Sequence, residues 1–499
     1  MKRQNSSRLK YIFINLSMCE KLLSWTLPKF VYAMGIEEAA GYQPVILDWE
    51  RDLESEPVYQ KFGADFVSIR KLRSDNISGF FSALVSVCRL FVFHNSGANL
   101  VNYQYHGAYI GGMIYDKLVR FGKEKIYTID RMKFRRDFGK VLGMVWLADT
   151  MEKYFGRHSG SLLVMDDFAF DEGIMTMEAV LQDVEVRESS SLYEGELGIT
   201  KEEIRTNKCS RMHSQVKAIY DAQKPSDDPF YEEYAKEYFL KRLEIVTDKQ
   251  SLRPSREEFV EKLHTDPEKK NVFILASCFA DIAHGKADYL FSDYYVFTEK
   301  TLEATKKLSN ANWIIKAHPY YHKLYNEENL TIELYEKYKN PNLYYMPEEW
   351  DKADLSEIAD VIITAIGSGG NEYACIGIPV ILTAYGPYSG YGFTEEPETT
   401  EEYFELLGHI DSLERLSERQ KTEAKKLLFC SKRSTYQNIE DDEFSELYMK
   451  NRELFFSGKR SLSVTNESFR KELEQSFPDK EAFRKTIWYQ RGNNYQRRV

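Results

Sequence analysis

A lysine and a histidine end a short apolar run in the second half of the chain. Residues 313–319 read W-I-I-K-A-H-P, so Lys316 and His318 stand two residues apart. Side chains two apart on a strand point to the same face, so this pair could hold one diphosphate. Pro319 cannot continue a strand ladder and marks the end of the run. Taken alone, the pattern is equally compatible with His318 capping a loop.

A glycine-rich turn is the second candidate. Its residues are Gly367, Ser368, Gly369 and Gly370, and the helix-like N-E-Y-A-C-I-G follows them. At a helix start, free backbone N–H groups, the helix dipole and a serine hydroxyl would all face a bound anion. Glycines also serve tight turns that need a positive φ. The short helix that follows favours the phosphate site over the simple turn.

Polar residues follow another apolar run of the second half. The segment A-S-C-F-A-D-I-A-H-G places Ser277, Asp281 and His284 on the same predicted rim. Ser277 and Asp281 would equally suit helix capping. Further along, Y-G-P-Y-S-G-Y-G at 385–392 combines a flexible backbone with tyrosine faces on which a sugar ring or a base could stack.

The first half offers candidates for proton transfer. His106 lies in Y-Q-Y-H-G-A-Y-I-G-G-M-I-Y-D-K-L-V-R, whose other polar residues include Asp116, and Asp166 and Asp167 follow the apolar run S-L-L-V-M. A direct-displacement sugar transfer needs a base near the acceptor hydroxyl, while cations or helix N-termini stabilise the departing phosphate. Aspartates at a strand end also commonly cap the next helix. We therefore predict Asp167, Asp166 and His106 as alternative bases.

Apolar runs alternate with charged helical stretches in both halves. The second half alone contains N-V-F-I-L-A-S, A-N-W-I-I-K-A-H-P, L-Y-Y-M-P, A-D-V-I-I-T-A and I-P-V-I-L-T-A. This rhythm predicts an α/β fold with two Rossmann-like, doubly wound domains facing a central cleft. We predict an N-terminal domain with a helical insertion over 1–265, a C-terminal domain over 266–430 and a helical, basic tail over 431–499.

Composition excludes several classes of protein. The chain has 499 residues and a net charge of −11, which argues against nucleic-acid binding because phosphate neutralisation needs clustered cations. No apolar run reaches the ~20 residues of a membrane-spanning helix, and we expect a cytoplasmic protein without a signal peptide. The six cysteines form no C-x-x-C pair and no D-x-D occurs, so we predict no metal site and no resident cofactor. The basic, aromatic end R-K-T-I-W-Y-Q-R suggests either membrane contact or a solvated tail.

The second half resembles bacterial capsule and surface-carbohydrate biosynthesis proteins, including the capsule Kdo transferases, which have a GT-B fold. The likeness spans 271–403 and rests on three features: the His318–Pro319 step, the G-S-G-G turn at 367–370 and E-Y-A-C-I-G-I-P-V beginning at Glu372. Polysialyltransferases and teichoic-acid polymerases look similar at these points. The resemblance implies that His318 and Ser368 bind the donor phosphate. The Gln-Pro step of capsule Kdo transferases has no counterpart here, and Cys278 stands where a histidine is expected.

These residues together predict an inverting, metal-independent glycosyltransferase. Its donor would be a nucleotide sugar, with a CMP-linked Kdo or nonulosonate as the leading case, and its acceptor a growing surface glycan or glycolipid. The second domain would hold the donor and the first domain the acceptor, with peripheral contact at the inner membrane face. Two alternatives stay open: a nucleotide-sugar epimerase on the same fold, and a non-catalytic capsule-assembly or glycan-binding component.

Overall fold

The computed structural model describes most of the chain. The described residues are 10–15, 23–49, 56–122, 124–165, 168–189, 194–196, 199–206, 216–217, 220–224, 228–247, 254–285, 288–318, 330–347, 350, 354–435, 446–447, 450 and 462–494. Asp166, Asp167 and Pro319 from the sequence analysis lie outside them.

The strands form two mainly parallel sheets and two short antiparallel pairs, β4 with β5 and β10 with β15. In chain order they are β1 Tyr11–Asn15, β2 Gln43–Asp48, β3 Asp65–Ser68, β4 Gln104–Tyr105, β5 Ala108–Tyr109, β6 Leu162–Met165, β7 Glu185–Ser189, β8 Glu194–Glu196, β9 Lys270–Leu275, β10 Asp288–Tyr289, β11 Ala311–Lys316, β12 Leu343–Tyr345, β13 Val361–Thr364, β14 Val380–Leu382 and β15 Ala384–Tyr385. The first sheet has the order β3-β2-β1-β6-β7-β8 and the second β12-β11-β9-β13-β14. Only β8 runs antiparallel to its neighbour within these two sheets.

Helices cover both sheets. They are α1 Leu23–Ala40, α2 Glu56–Lys61, α3 Ile69–Asp75, α4 Ile77–Phe93, α5 Gly97–Val101, α6 Gly111–Phe121, α7 Phe134–Gly156, α8 Phe170–Leu181, α9 Lys201–Thr206, α10 Asp228–Thr247, α11 Arg256–Leu263, α12 Tyr294–Thr305, α13 Leu330–Tyr338, α14 Ser368–Cys375, α15 Thr400–Gly408, α16 Glu418–Thr435, α17 Leu462–Ser476, α18 Lys480–Phe483 and α19 Ile487–Asn493.

Each sheet buries both of its faces. In β1, Phe13 packs into one hydrophobic cluster while Ile12 and Ile14 pack into another on the opposite face. In β9, Phe273 and Ile274 likewise belong to clusters on opposite faces. Strands covered on both faces are typical of doubly wound parallel sheets. The predicted α/β fold with two Rossmann-like domains is therefore confirmed.

The last described helices return to the first domain. Helix α19 crosses α1 so closely that a Cβ on Gly35 would lie 2.1 Å from the Tyr489 carbonyl oxygen, and one on Gly492 would lie 2.0 Å from that of Tyr32. Trp488 and Tyr489 are buried in the cluster formed with α1. Trp488 and Tyr489, two aromatic residues of the predicted basic end, therefore pack into the protein core.

One helix of the predicted insertion belongs to the second sheet. Helix α10 packs against α16, and Ala235 of α10 joins the cluster that contains Phe273. The chain therefore reaches the second domain before residue 265. The exact division at 265/266 stays a prediction.

Candidate active site

The centre of the second sheet creates a crevice at its carboxyl edge. From β9 the chain proceeds to β11 and β12 on one side, whereas β13 and β14 lie on the other side. Neighbouring connections diverge at such a switch point, which is where open α/β sheets bind ligands. The segments that begin after β9, β11 and β13 carry Ser277, His318 and Ser368 respectively. The sequence-predicted donor residues therefore follow three adjacent strands.

His318 and Cys278 meet at this edge. The Sγ atom of Cys278 lies 3.2 Å from Nδ1 of His318, so the two strand ends are joined by a side-chain contact. Cys278 is buried and His318 is partly exposed. Lys316 is the last residue of β11 and is buried. Its carbonyl oxygen accepts a hydrogen bond from the backbone N–H of Ala276. The His318 imidazole therefore lies at the rim of the crevice, in contact with the buried Cys278 thiol.

The glycine-rich turn forms the third wall of the crevice. Gly367 is the N-cap of α14 with an extended backbone, and no side chain caps this helix. The Tyr388 hydroxyl donates a 2.7 Å hydrogen bond to the Gly367 carbonyl oxygen. A Cβ on Gly370 would lie 2.5 Å from that hydroxyl, so glycine is needed for the close approach. Ser368 is exposed at the first helical position, where backbone N–H groups lack intrahelical acceptors.

Two other predicted donor residues have structural partners. The Glu372 side chain is buried and accepts a 2.8 Å hydrogen bond from the Tyr238 hydroxyl of α10. The backbone N–H of Asp281 donates to the Cys278 carbonyl oxygen at 3.1 Å, which makes a turn directly after β9. Glu372 therefore joins α14 to α10, and Asp281 helps to shape the rim.

His284 binds the first domain. Its Nδ1 lies 2.7 Å from Oδ1 of Asp116 on α6, and its backbone N–H donates to Oδ2 of the same carboxylate at 2.9 Å. Burial alone lowers the pKa of His284, but the charge and hydrogen bond of Asp116, with further help from Asp293 and the Ser292 backbone, raise it overall. A Cβ on Gly112 would lie 2.6 Å from the His284 Cβ, so this glycine permits the contact. His284 thus braces the two domains.

A second interdomain hydrogen bond lies beside this brace. The Tyr115 hydroxyl of α6 donates to Oδ2 of Asp293 at 2.6 Å and accepts from the Ile129 backbone N–H at 2.9 Å. Asp293 also caps α12 through a 2.7 Å bond from the Val296 N–H. Asp116 is among the first-half residues that the sequence suggests for acceptor binding and base chemistry, whereas the sequence pattern does not single out Asp293. Its position before an apolar helical stretch indicated a helix cap but gave no sign of a partner in the other domain.

His106 lies in a different part of the first domain. It occupies the β4–β5 turn with a positive φ of 46°, and its Nδ1 lies 2.5 Å from Oε2 of Glu152 on α7. Its contact with Glu152 and its stacking on the Tyr105 ring both lie within the first domain. The structure therefore does not bring His106 to the predicted donor residues. Ligand atoms of His106, Asp149 and Glu152 lie within 4.8 Å of one another, a group that could hold a metal ion. The prediction of no metal site stays untested.

The carboxyl edge of the first sheet has a different character. The Arg73 guanidinium lies 4.6 Å from the Trp146 ring centroid and 5.8 Å from that of Trp49, which directly follows β2. Lys117 of α6 lies 5.9 Å from the Trp49 ring and pairs with the buried Asp171 of α8. Burial lowers the pKa of Arg73, while Asp171 partly offsets that effect. We call these five residues the cation–aromatic cluster.

The tyrosine-rich loop after β14 borders a separate cavity. The cavity has a volume of about 550 Å³ and lies between this loop and α16. It is lined by Lys217, Tyr220, Asp221, Tyr385, Gly390, Tyr391, Gly392, Arg419, Gln420 and Glu423. Tyr388 instead turns toward Gly367, so the loop contacts both the cavity and the glycine-rich turn.

No protein-family model and no curated protein matches the chain. Among solved structures it is similar to the β-Kdo 2,4 transferase KpsC of Thermosulfurimonas dismutans, at 14% identity and a TM-score of 0.33, covering 53% of this chain and 78% of that one. It is also similar to a Neisseria meningitidis UDP-GlcNAc 2-epimerase bound to UDP-GlcNAc, at 11% identity and a TM-score of 0.23, covering 85% and 99% of the two chains. The wall teichoic acid polymerase TagF gives 10% identity, a TM-score of 0.23 and coverages of 93% and 89%.

The resemblance to capsule Kdo transferases that the sequence predicts is thus also found among solved structures, and this chain is similar to 2-epimerases as well. Likeness at this level transfers neither an activity nor a residue role. The fold rests on the strand order of the two sheets, and the candidate site rests on the side chains at their edges.

Proposed function

We propose that this protein is a glycosyltransferase that moves a sugar from a nucleotide donor to a bacterial surface glycan. The observation that carries the proposal is the contact between His318 and Cys278 at the switch point of the second sheet, beside the N-terminus of α14. A cation, an imidazole and a helix N-terminus at one edge suit a diphosphate or a phosphodiester. When the sugar–oxygen bond of such a donor breaks, the departing group is a nucleoside monophosphate or diphosphate, and sugar transfer must stabilise its negative charge.

In this proposal each donor residue has a distinct task. Lys316 supplies positive charge from the end of β11, and His318 donates a hydrogen bond to a phosphate oxygen. Ser368 and the first backbone N–H groups of α14 bind the same phosphate from the opposite side. Cys278 keeps the His318 ring in place. A CMP-linked acidic sugar is the proposed donor, and the transfer is proposed to be inverting and independent of metal.

The acceptor is proposed to bind at the first sheet. Trp49 and Trp146 offer ring faces on which a sugar can pack, while Arg73 and Lys117 supply positive charge. Arg73 Nε and Trp49 Nε1 have no hydrogen-bond acceptor within the described part of the chain. These groups suit an acceptor sugar that carries a carboxylate or a phosphate. The base that removes the acceptor proton is proposed to be Asp166 or Asp167, which follow β6 in sequence.

Calorimetric titration with CMP, CDP, UDP and GDP tests the donor site. We expect one nucleotide to bind selectively and both His318→Ala and Ser368→Ala to weaken it about tenfold or more, since each removes a phosphate contact. His409→Ala and Ser74→Ala are matched controls, because both residues are exposed and lie outside the site. Failure of all four nucleotides to bind would contradict the donor site and favour a non-catalytic assembly component.

Product analysis then separates transfer from epimerisation. The selected nucleotide sugar is incubated with the protein in the presence and absence of a glycan acceptor. A transferase releases the nucleotide and extends the glycan. An epimerase converts the nucleotide sugar into its isomer without any acceptor, and that result would replace the proposed transfer reaction while leaving the donor site intact.

A further inference from the structure

Helix α4 exposes an apolar stripe. Ile77, Phe81, Val85 and Val92 recur at helical spacing on one face, and their exposed fractions are 64%, 59%, 54% and 69%. Isolated exposed apolar residues are common, whereas a continuous stripe marks an interaction surface. No described residue buries this face.

The opposite face of α4 belongs to the protein core. Ala83, Val87 and Leu90 are buried in the cluster that also contains residues of α7. No single described helix has the length and hydropathy of a membrane span, although α3 and α4 together pass that test as a pair bent by 84°. With one face packed against α7, α4 can offer only its outer face to a partner. The geometry is that of a helix lying on a surface.

Basic residues surround the far end of the stripe. Phe93 and Phe134 are exposed by 73% and 63%, and the rings of Phe134 and Phe91 lie 6.0 Å apart. The exposed basic residues of this region are Arg89, Arg131, Lys133 and Arg135. Helix α4 itself contains no acidic residue. Asp75 precedes it, Asp116 is the next acidic residue after it in sequence, and the exposed Asp130 stands beside Arg131. This positive region contrasts with the net charge of −11 of the whole chain.

The stripe also ends close to the contact between the domains. Residues 122–133 connect α6 to α7, and Tyr127 in this connection packs against Phe279 and Tyr295 of the second domain. The backbone N–H of Met132 in the same connection donates a hydrogen bond to the carbonyl oxygen of Asn95, just after α4. A surface that binds the stripe would therefore lie close to the contact between the two domains.

We propose that the outer face of α4, with Phe93, Phe134 and the neighbouring basic residues, docks on an anionic lipid bilayer. The apolar side chains enter the boundary between head groups and acyl chains, while the arginines and lysines meet the lipid phosphates. Charge complementarity favours this partner over a second copy of the chain, because two like-charged patches would repel each other.

Vesicle co-sedimentation of the full chain tests this proposal without any nucleotide or glycan, so its outcome is independent of the proposed activity. We expect binding to vesicles of equal parts phosphatidylcholine and phosphatidylglycerol, and much weaker binding to phosphatidylcholine alone. The double variant Phe81→Ser, Val85→Ser should reduce binding about tenfold or more, since both side chains leave the acyl boundary. The matched double variant Phe230→Ser, Ile332→Ser should bind as the wild type, because these exposed residues lie on α10 and α13.

Several results would overturn the proposal. They are a wild-type protein that does not bind anionic vesicles, equal loss of binding in both double variants, and binding that is insensitive to lipid charge. Sedimentation analysis without lipid measures the oligomeric state of the wild type and of the Phe81→Ser, Val85→Ser variant. If the wild type is a dimer and the variant a monomer, then the stripe binds a second copy of the chain. Circular dichroism of both variants excludes unfolding as the cause of any loss.

Discussion

The two sheets share a topology but carry different chemistry at their carboxyl edges. The edge of the second sheet combines backbone N–H groups of a glycine-rich turn with Lys316 and His318. The edge of the first sheet instead carries tryptophan rings and cationic side chains in the cation–aromatic cluster. Backbone donors at a helix start recognise a phosphate of fixed shape, whereas rings and long cations adapt to varied sugars. This difference suits a constant donor and a variable acceptor.

The largest expected effect concerns the second edge. Gly370→Ala would place a Cβ 2.5 Å from the buried Tyr388 hydroxyl, which also holds the Gly367 carbonyl oxygen at 2.7 Å. Either Tyr388 or the turn must move, so the N–H groups that we propose to bind phosphate would lose their alignment. We expect nucleotide affinity to fall about a hundredfold, as measured by calorimetry.

Gly408→Ala is the matched control, since a Cβ there has no atom within 4 Å. Unchanged nucleotide affinity in Gly370→Ala would contradict the assignment of this turn to the donor. It would also remove the contrast between the two edges, because the backbone of α14 would then have no role in binding.

A smaller effect is expected at the first edge. Arg73→Ala removes the guanidinium between Trp49 and Trp146. We expect the KM for an anionic acceptor to rise about tenfold while nucleotide affinity stays constant. Arg73→Lys keeps the charge but loses planar stacking, so it should recover only part of the effect. Kinetics at saturating donor provide the measurement.

The exposed Arg157 supplies the control, because Arg157→Ala removes a cation that lies outside the cluster. If Arg73→Ala weakens nucleotide binding instead, then the cluster serves the donor and the division of tasks between the edges is wrong.

The contrast also explains what could be predicted from sequence. Glycines at 367–370 and the K-A-H-P step act through the local backbone, so their position after β13 and β11 follows from the pattern of apolar runs. The doubly wound fold was predictable for the same reason. Glu372 stands in the same segment, yet it binds Tyr238 of α10, a helix far away in sequence.

Contacts between distant segments were not predictable. The sequence suggests His284 as a donor residue because it follows β9. In the structure its imidazole contacts Asp116, which lies 168 positions earlier in the chain. His106 is predicted as an alternative base because its imidazole could take the proton of the acceptor hydroxyl, but the β4–β5 turn places it against Glu152. Periodicity and spacing describe single segments of the chain. They do not show which residue of a distant segment will contact a given side chain in the folded protein.

The smallest expected effect concerns the brace that joins the two edges. Because the pKa of His284 is raised in the folded protein, its charged form stabilises the folded state. That stabilisation is fully present below the unfolded pKa of about 6.5 and is lost as pH rises through the folded value. Asp116→Asn should therefore lower the free energy of unfolding by about 1 kcal/mol or more near pH 6, and by less at pH values above the folded pKa. Denaturant unfolding of both proteins across this range measures the difference.

A pH-independent difference would mean that the Asp116 carboxylate acts through its 2.9 Å bond to the His284 backbone N–H and not through the imidazole charge. The contact between the two domains would then not depend on the charge of His284.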